Sequence, residues 1–267
     1  MSYQIVVCAG IVPDPLQTLE PVSTPAGPAL KNEAMLPHVL DPWAACSLHE
    51  AAHLAKQFAG SKVWLVSLAP KAKLQQVIMT VAQKAVFDLV ALDAPSSGFA
   101  DSAAVAAVLA DAIASLPGLD RSKLLVFGGW ESASRSSGTT LQILGERLGI
   151  LEQFQGVDQI KVLENGALEI LERAEGGCHQ VSVCDGPPAI LGWATGKLPE
   201  PPNNPQVGMA NMRALMPALQ RAKSTPLAAG NLAYQNAAVP KQQRNTRIVK
   251  NLTAEEIARE LVAWIRG

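Results

Sequence analysis

The sequence predicts an α/β fold built on a doubly wound, mostly parallel sheet, and three observations carry that prediction. Short apolar runs such as Gln4-Ile5-Val6-Val7-Cys8-Ala9-Gly10 end in glycine, the form of a strand buried on both faces with its loop at the carboxyl end. These runs alternate with segments of helical 3-to-4 spacing, which calls for right-handed crossovers between parallel strands. Of the 267 residues 48% are hydrophobic but only 4% aromatic, so Ala, Val, Leu and Ile must fill the core, as suits helices packed on a parallel sheet.

The elements follow in order. After the first strand, Ile11 to Pro42 carries seven prolines (13, 15, 21, 25, 28, 37 and 42), which forbid a regular helix and favour an extended, surface-wrapping connection. Asp41-Pro42 opens a helix, with Asp41 as N-cap and Pro42 at the first helical position. Leu48, Ala51, Ala52, Ala55 and Phe58 recur at helical spacing before Gly60 stops it. Val63 to Leu68 reads as a strand, Leu74, Val77, Ile78, Val81 and Ala85 as a helix, and Asp88 to Asp93 as a strand. A helix over Asp101 to Ala114 ends at Pro117-Gly118, and a strand over Lys123 to Phe127 ends in Gly128-Gly129. After a helix over Thr139 to Leu148 the texture changes to alternating runs, Val157 to Leu163 and Leu168 to Arg173, joined by the hairpin signal Asn165-Gly166. This β-hairpin extends the sheet. Lys197 to Pro205 holds four prolines and two asparagines and is expected as an exposed loop. Beyond Pro226 a polar, irregular arm leads to Thr253-x-x-Glu256, a capping box for a helix over Ala254 to Ile265 whose apolar stripe is Ile257, Leu261, Val262 and Ile265.

With 22 Lys and Arg against 23 Asp and Glu the formal charge is −1, which excludes a polycation that grasps nucleic acid through charge alone. Cys8, Cys46, Cys178 and Cys184 form no C-x-x-C pair, so neither a disulfide framework nor a cysteine zinc site is expected. The N-terminus has no basic flank of a signal peptide, and the longest Ala/Val/Leu stretch, Ala103 to Ala110, is far short of the ~20 residues that span a bilayer. A soluble, cytoplasmic chain without membrane insertion is expected.

Two motifs compete with a third. His49-Glu50-Ala51-Ala52-His53 is a literal H-E-x-x-H on a helix, the pattern by which two histidines one turn apart chelate zinc with a glutamate as base. The core stripe Leu48, Ala52 and Ala55 leaves His49 and His53 on the flank with Lys56, so the competing reading is a solvated polar face. Gly192 to Leu198 imitates a phosphate loop, but it has three residues between its glycines instead of four. No G-x-G-x-x-G follows the first strand and no G-x-S-x-G occurs. The third motif, Gly128 to Thr140, links a strand to a helix N-terminus. Its Ser, Gly and Thr leave N–H groups and hydroxyls free, and Arg135 adds a cation, a set that would hold a phosphate. The alternative is an ordinary βα loop. In an open α/β sheet this loop, Ala9-Gly10 and Ser67-Leu68 would meet at the carboxyl ends of the strands, where ligands bind.

The order of these features resembles the β subunit family of electron transfer flavoproteins, including its nitrogen-fixation-associated branch. The resemblance rests on Val12-Pro13-Asp14, on Asp41-Pro42-Trp43 followed by Leu48-His49-Glu50-Ala51, and on the Gly128 to Gly138 loop. It rests further on Arg173-Ala174-Glu175-Gly176-Gly177, Pro188-Ala189-Ile190-Leu191, Asn204-Pro205 and Asn211-Met212-Arg213-Ala214. It implies a Rossmann-like, adenine-nucleotide α-hydrolase-like domain over 1–226 and a C-terminal arm and helix over 227–267 that pack on a partner. That partner would be an α subunit carrying most of an FAD site, while this chain holds AMP, or in electron-bifurcating members a second FAD. The residues so implied at the nucleotide are Ala9, Gly10, Asp41, Val66, Leu68, Gly128, Arg135, Ser136, Ser137, Gly138 and Thr139. Trp43 would lie near the partner's flavin, and Leu198 would sit on a recognition loop that docks on a dehydrogenase. The chain would then be an electron carrier with no substrate of its own. A stand-alone adenine-nucleotide-binding module is the alternative, and a zinc hydrolase through His49-Glu50-x-x-His53 a distant third. Three departures from the family pattern stand out. Arg135-Ser136-Ser137-Gly138 and Asp41 replace N-Q-T-G and asparagine, and the recognition loop is longer and richer in proline, which points away from a standard acyl-CoA dehydrogenase.

Overall fold

The structure, a computed structural model, describes residues 1–25, 27–94, 100–134, 138–227, 246 and 248–266. Strand β1 (Gln4–Cys8) leads into the proline-rich segment, which contains β2 (Ile11–Pro13), β3 (Pro21–Thr24), β4 (Gly27–Leu30) and β5 (His38–Leu40). The expected extended connection therefore folds back on itself twice, β2 pairing antiparallel with β5 and β3 with β4. Proline lacks an N–H and cannot serve a central strand, so these remain two-stranded ribbons outside the main sheet.

Helix α1 (Pro42–Gln57) starts on Asp41 and is closed before Gly60, whose φ of +83° suits glycine. Then come β6 (Lys62–Ala69), α2 (Lys71–Val81), β7 (Asp88–Asp93), α3 (Ser102–Ala114), β8 (Leu124–Gly129) and α4 (Thr139–Leu148). Strand β8 runs past the apolar stretch because Gly128 stays in register with Cys8 of β1. Strand β9 (Glu152–Val162) begins five residues before the alternating run, and β10 (Leu168–Arg173) returns beside it. The connection is a five-residue turn rather than a two-residue one. The Leu163 N–H donates to the Ala167 carbonyl, and Gly166 takes a φ of +88°.

Strands β11 (His179–Cys184) and β12 (Ala189–Trp193), helix α5 (Pro205–Gln220) and strand β13 (Lys223–Ser224) were not apparent in the sequence pattern. Helix α6 (Ala254–Arg266) was, and the Thr253 N–H donates to Glu256 Oε2 at 2.8 Å as a capping box requires. Among the described residues no helix is long and apolar enough to cross a membrane.

Described strands form a nine-stranded sheet in the order β11-β10-β9-β12-β8-β1-β6-β7-β13. From β7 to β12 every pair is parallel, and β9, β10 and β11 add the antiparallel hairpin extension. Alternation along β1 divides the core. Ile5 and Val7 join Leu48 of α1, Ile78 of α2 and Leu219 of α5 on one face, while Val6 and Cys8 join Leu109 of α3 and Leu144 of α4 on the other. Each such large side chain, once buried, contributes roughly 1.5–3 kcal/mol. The chain runs outward from β1 through β6 to β7, then crosses back to β8 on the other side of β1. That reversal opens a crevice at the carboxyl ends of β1 and β8.

Candidate functional site

The crevice is built by close backbone approach. Leaving β1, the Ala9 N–H donates to the Val66 carbonyl at 3.0 Å, and the Gly10 carbonyl accepts the Asp41 N–H at 2.9 Å, which ties the strand end to the start of α1. Asp41 is only 5% exposed. Its Oδ1 accepts the Trp43 N–H at 3.2 Å as the N-cap bond, and its Oδ2 accepts Ser132 Oγ and the Ala133 N–H, each at 2.9 Å. One carboxylate thus joins α1 to the loop after β8. Burial pushes its pKa up, and the bonds from Ala133, Ser132 and Trp43 oppose that rise.

Glycine is a steric requirement at two positions here. A Cβ on Gly129 would lie 2.5 Å from Trp43 Cβ, and one on Gly138 would lie 1.8 Å from the Trp130 carbonyl oxygen. The N-cap of α4 is Gly138, which has no side-chain acceptor of its own to offer the first-turn N–H groups.

The resulting cleft, about 1130 Å³ with its open mouth, has a floor of Cys8, Val66, Leu68, Leu109 and Leu141. The Cys8 thiol is pushed up to about 12 by burial and is therefore an inert part of that floor. The rim carries Glu33, Asp41 and Glu131 beside Ser132, Ser134 and Thr140, with no Lys, Arg or His among the described lining residues.

Of the residues expected at a nucleotide, Ala9, Gly10, Asp41, Val66, Leu68 and Gly138 line this cleft. Gly128 sits one residue short of it, beneath Leu141, and Gly129 lines it instead; Thr140 lines it where Thr139 was expected. Arg135, Ser136 and Ser137 lie outside the described residues. Trp43 is half-buried one residue into α1, against Gly129. Sequence reasoning missed the carboxylates Glu33 and Glu131, while Ser132 belongs to the Gly128 to Thr140 loop it had singled out. It also missed that Val12, Pro13 and Glu33 of the proline-rich segment, and Leu227 at the start of the C-terminal arm, reach the cleft.

The H-E-x-x-H motif is not a solvated flank, and this expectation is corrected. Glu50, about 14 Å beyond Asp41 at 1.5 Å per helical residue, is 5% exposed, and its Oε1 accepts the N–H groups of Lys197 and Leu198, each at 3.1 Å. His53 Nε2–H donates to the Pro199 carbonyl at 2.9 Å, and His49 Nε2 stands 3.9 Å from Glu200 Oε1, which also pairs with Lys84. The groups a zinc ion would need are committed to the loop after β12. On its other side, the 4%-exposed Asp158 meets Arg173 Nε at 2.7 Å and His179 Nε2 at 3.3 Å, and Arg173 also bonds Thr195 Oγ1. Burial pulls Asp158 up, but Arg173 and His179 outweigh it and leave its pKa lowered.

A pH dependence follows from the histidine. Burial lowers the pKa of His49 below its ordinary 6.5, so the unfolded state takes up the proton first. Stability is then lost as pH falls below 6.5 toward the lowered folded-state value. We expect the unfolding free energy, measured by urea titration, to fall between pH 7.5 and 5.5, and His49→Gln to flatten that slope. An unchanged slope in the variant would assign the dependence elsewhere.

The strand order and the cleft at its reversal define a Rossmann-like α/β protein. Residues 32–226 match the model of the electron transfer flavoprotein domain, and the chain belongs to that family. No match is found among curated proteins.

Proposed function

We propose that the chain is the β subunit of an electron transfer flavoprotein, a family that includes a nitrogen-fixation-associated branch. It would pass electrons from a dehydrogenase, through FAD held jointly with an α subunit, to a downstream acceptor in the cytoplasm. The observation that carries this reading is the cleft at the strand reversal, with the glycine-capped N-terminus of α4 in its lining, in a chain of this family.

The residues present fit an adenine nucleotide, AMP or a second FAD. The apolar floor of Val66, Leu68 and Leu109 suits a flat base, a side chain added at Gly10 would meet open space, and the first-turn N–H groups of α4 suit a phosphate. The carboxylates Glu33, Asp41 and Glu131 oppose an anion, so Arg135 is assigned the compensating charge. Bound FAD supplies the redox chemistry; the chain's own residues bind, orient and shield. Trp43 is assigned to the edge facing the partner's flavin, Leu198 to docking on the redox partner, and 227–267 to the α subunit.

The test is nucleotide retention. A charge-assisted contact contributes about 1.5–3 kcal/mol, so Arg135→Ala is expected to lower nucleotide affinity about tenfold or more. Mass spectrometry of the ligand released from the co-expressed pair would read this directly. Equal nucleotide content in the variant and the parent would remove Arg135 from the site.

A further inference from the structure

The loop after β12 is fastened at almost every residue while one apolar side chain points away from it. Thr195 is bonded by Arg173, the N–H groups of Lys197 and Leu198 converge on Glu50 Oε1, Pro199 is held by His53, and Glu200 by Lys84. Gly196 makes the convergence possible. Its φ of +68° turns the chain so that consecutive N–H groups face one anion, the arrangement of a backbone nest. A Cβ at 196 would stand 2.4 Å from Glu50 Oε1, so glycine is also required for space. The Leu198 side chain remains 51% exposed.

We infer that Glu50 is a positioning residue for partner docking: it presents Leu198 as a pre-organised apolar peg for a redox protein with a complementary apolar socket. The inference rests on the reading of Leu198 as the docking residue. Glu50 does not line the cleft and bonds Leu198 through its backbone N–H, and it acts by removing the loop's alternative conformations before the partner arrives. A loop already ordered in its bound form loses less entropy on association, so its affinity is higher for the same contacts.

The experiment uses the flavin-loaded heterodimer and has two readouts. The first is hydrogen exchange at the Lys197 and Leu198 amides. The second is the KM and kcat for reduction by the electron-donor protein, purified by its ability to reduce the heterodimer, with a small dye acceptor as control. Glu50→Ala is expected to speed exchange at these two amides, to raise KM about tenfold with little change in kcat, and to leave dye reduction unaltered. Glu50→Gln keeps an acceptor oxygen and is expected to restore both readouts. Should Glu50→Ala fold poorly, Gly196→Ala disturbs the same contact from the other side. Unchanged amide exchange overturns the inference, as does freed exchange with unchanged KM when Leu198→Ala raises KM. An unchanged KM in Leu198→Ala overturns instead the docking role of Leu198 on which the inference depends, and the exchange data still report whether Glu50 holds the loop.

Discussion

Trp193→Ala is expected to cost about 3–5 kcal/mol of folding free energy, the range for an aromatic truncated in a packed core. Trp193 ends β12 with no exposed surface, and its ring centroid lies 5.2 Å from that of Phe127 at an interplanar angle of 59°. Its carbonyl accepts the Trp130 N–H at 3.0 Å, and the next residue donates to the Val157 carbonyl, so the ring also seats the strand from which the Glu50-bound loop departs. One feature of the site works against the wild type. Among the described residues the buried Nε1 of Trp193 has no hydrogen-bond partner, and an unpaired buried donor costs about 1–3 kcal/mol. Trp193→Phe removes that donor and keeps most of the ring contact, so its cost should stay below about 1.5 kcal/mol. Urea unfolding of both variants separates the contributions. A loss under about 1 kcal/mol for the alanine variant would show that β12 does not depend on this packing.

Elements set by local interactions are legible in the sequence, and those set by long-range contacts are not. Helix α1 was legible because its signals are local: an aspartate N-cap, a proline at the first position and leucine and alanine at helical spacing. The strands β1, β6, β7 and β8 were legible because burial on both faces writes a continuous apolar run. Helix α5 was hidden by Pro217 in its last turn and by Gly208, whose missing side chain makes room for Gln83. The signal that could have found it was Asn204-Pro205, since Asn204 Oδ1 caps the N–H groups of Gln206 and Val207. Strand β12 was read only as a motif, because its five residues lie between prolines and a loop of prolines.

At the site the same rule applies. That Ala9, Gly10 and Asp41 would meet at strand ends follows from fold-level reasoning about open sheets. That Asp41 would hold Ala133, and Glu50 the amides of Lys197 and Leu198, depends on contacts 92, 147 and 148 residues apart in sequence. A glutamate flanked by two histidines on a helix carries no mark of such a partner. The literal motif therefore suggested metal chemistry where the fold makes a loop anchor.

In the proposed heterodimer, disrupting the apolar face of α6 is expected to abolish assembly with the α subunit. Ile257, Leu261 and Val262 are 47%, 52% and 45% exposed, Ile265 is 76% exposed, and the helix has no buried residue. Stripe residues at positions 257, 261 and 265 lie one turn apart on one side, with Glu256, Arg259, Glu260 and Arg266 elsewhere on the helix. Fully burying one such side chain contributes roughly 1.5–3 kcal/mol. Ile257→Glu with Leu261→Glu would therefore remove about 3–6 kcal/mol, before counting the cost of burying two carboxylates. At 1.4 kcal/mol per tenfold, the dissociation constant should rise at least about a hundredfold. The helix itself should survive, since Thr253 Oγ1 and the Thr253 N–H remain bonded to Glu256 Oε2. Circular dichroism would check that survival, while size-exclusion chromatography with light scattering of the co-expressed chains would read the assembly. A heterodimer that persists undiminished at micromolar concentration would place the α6 face outside the subunit interface.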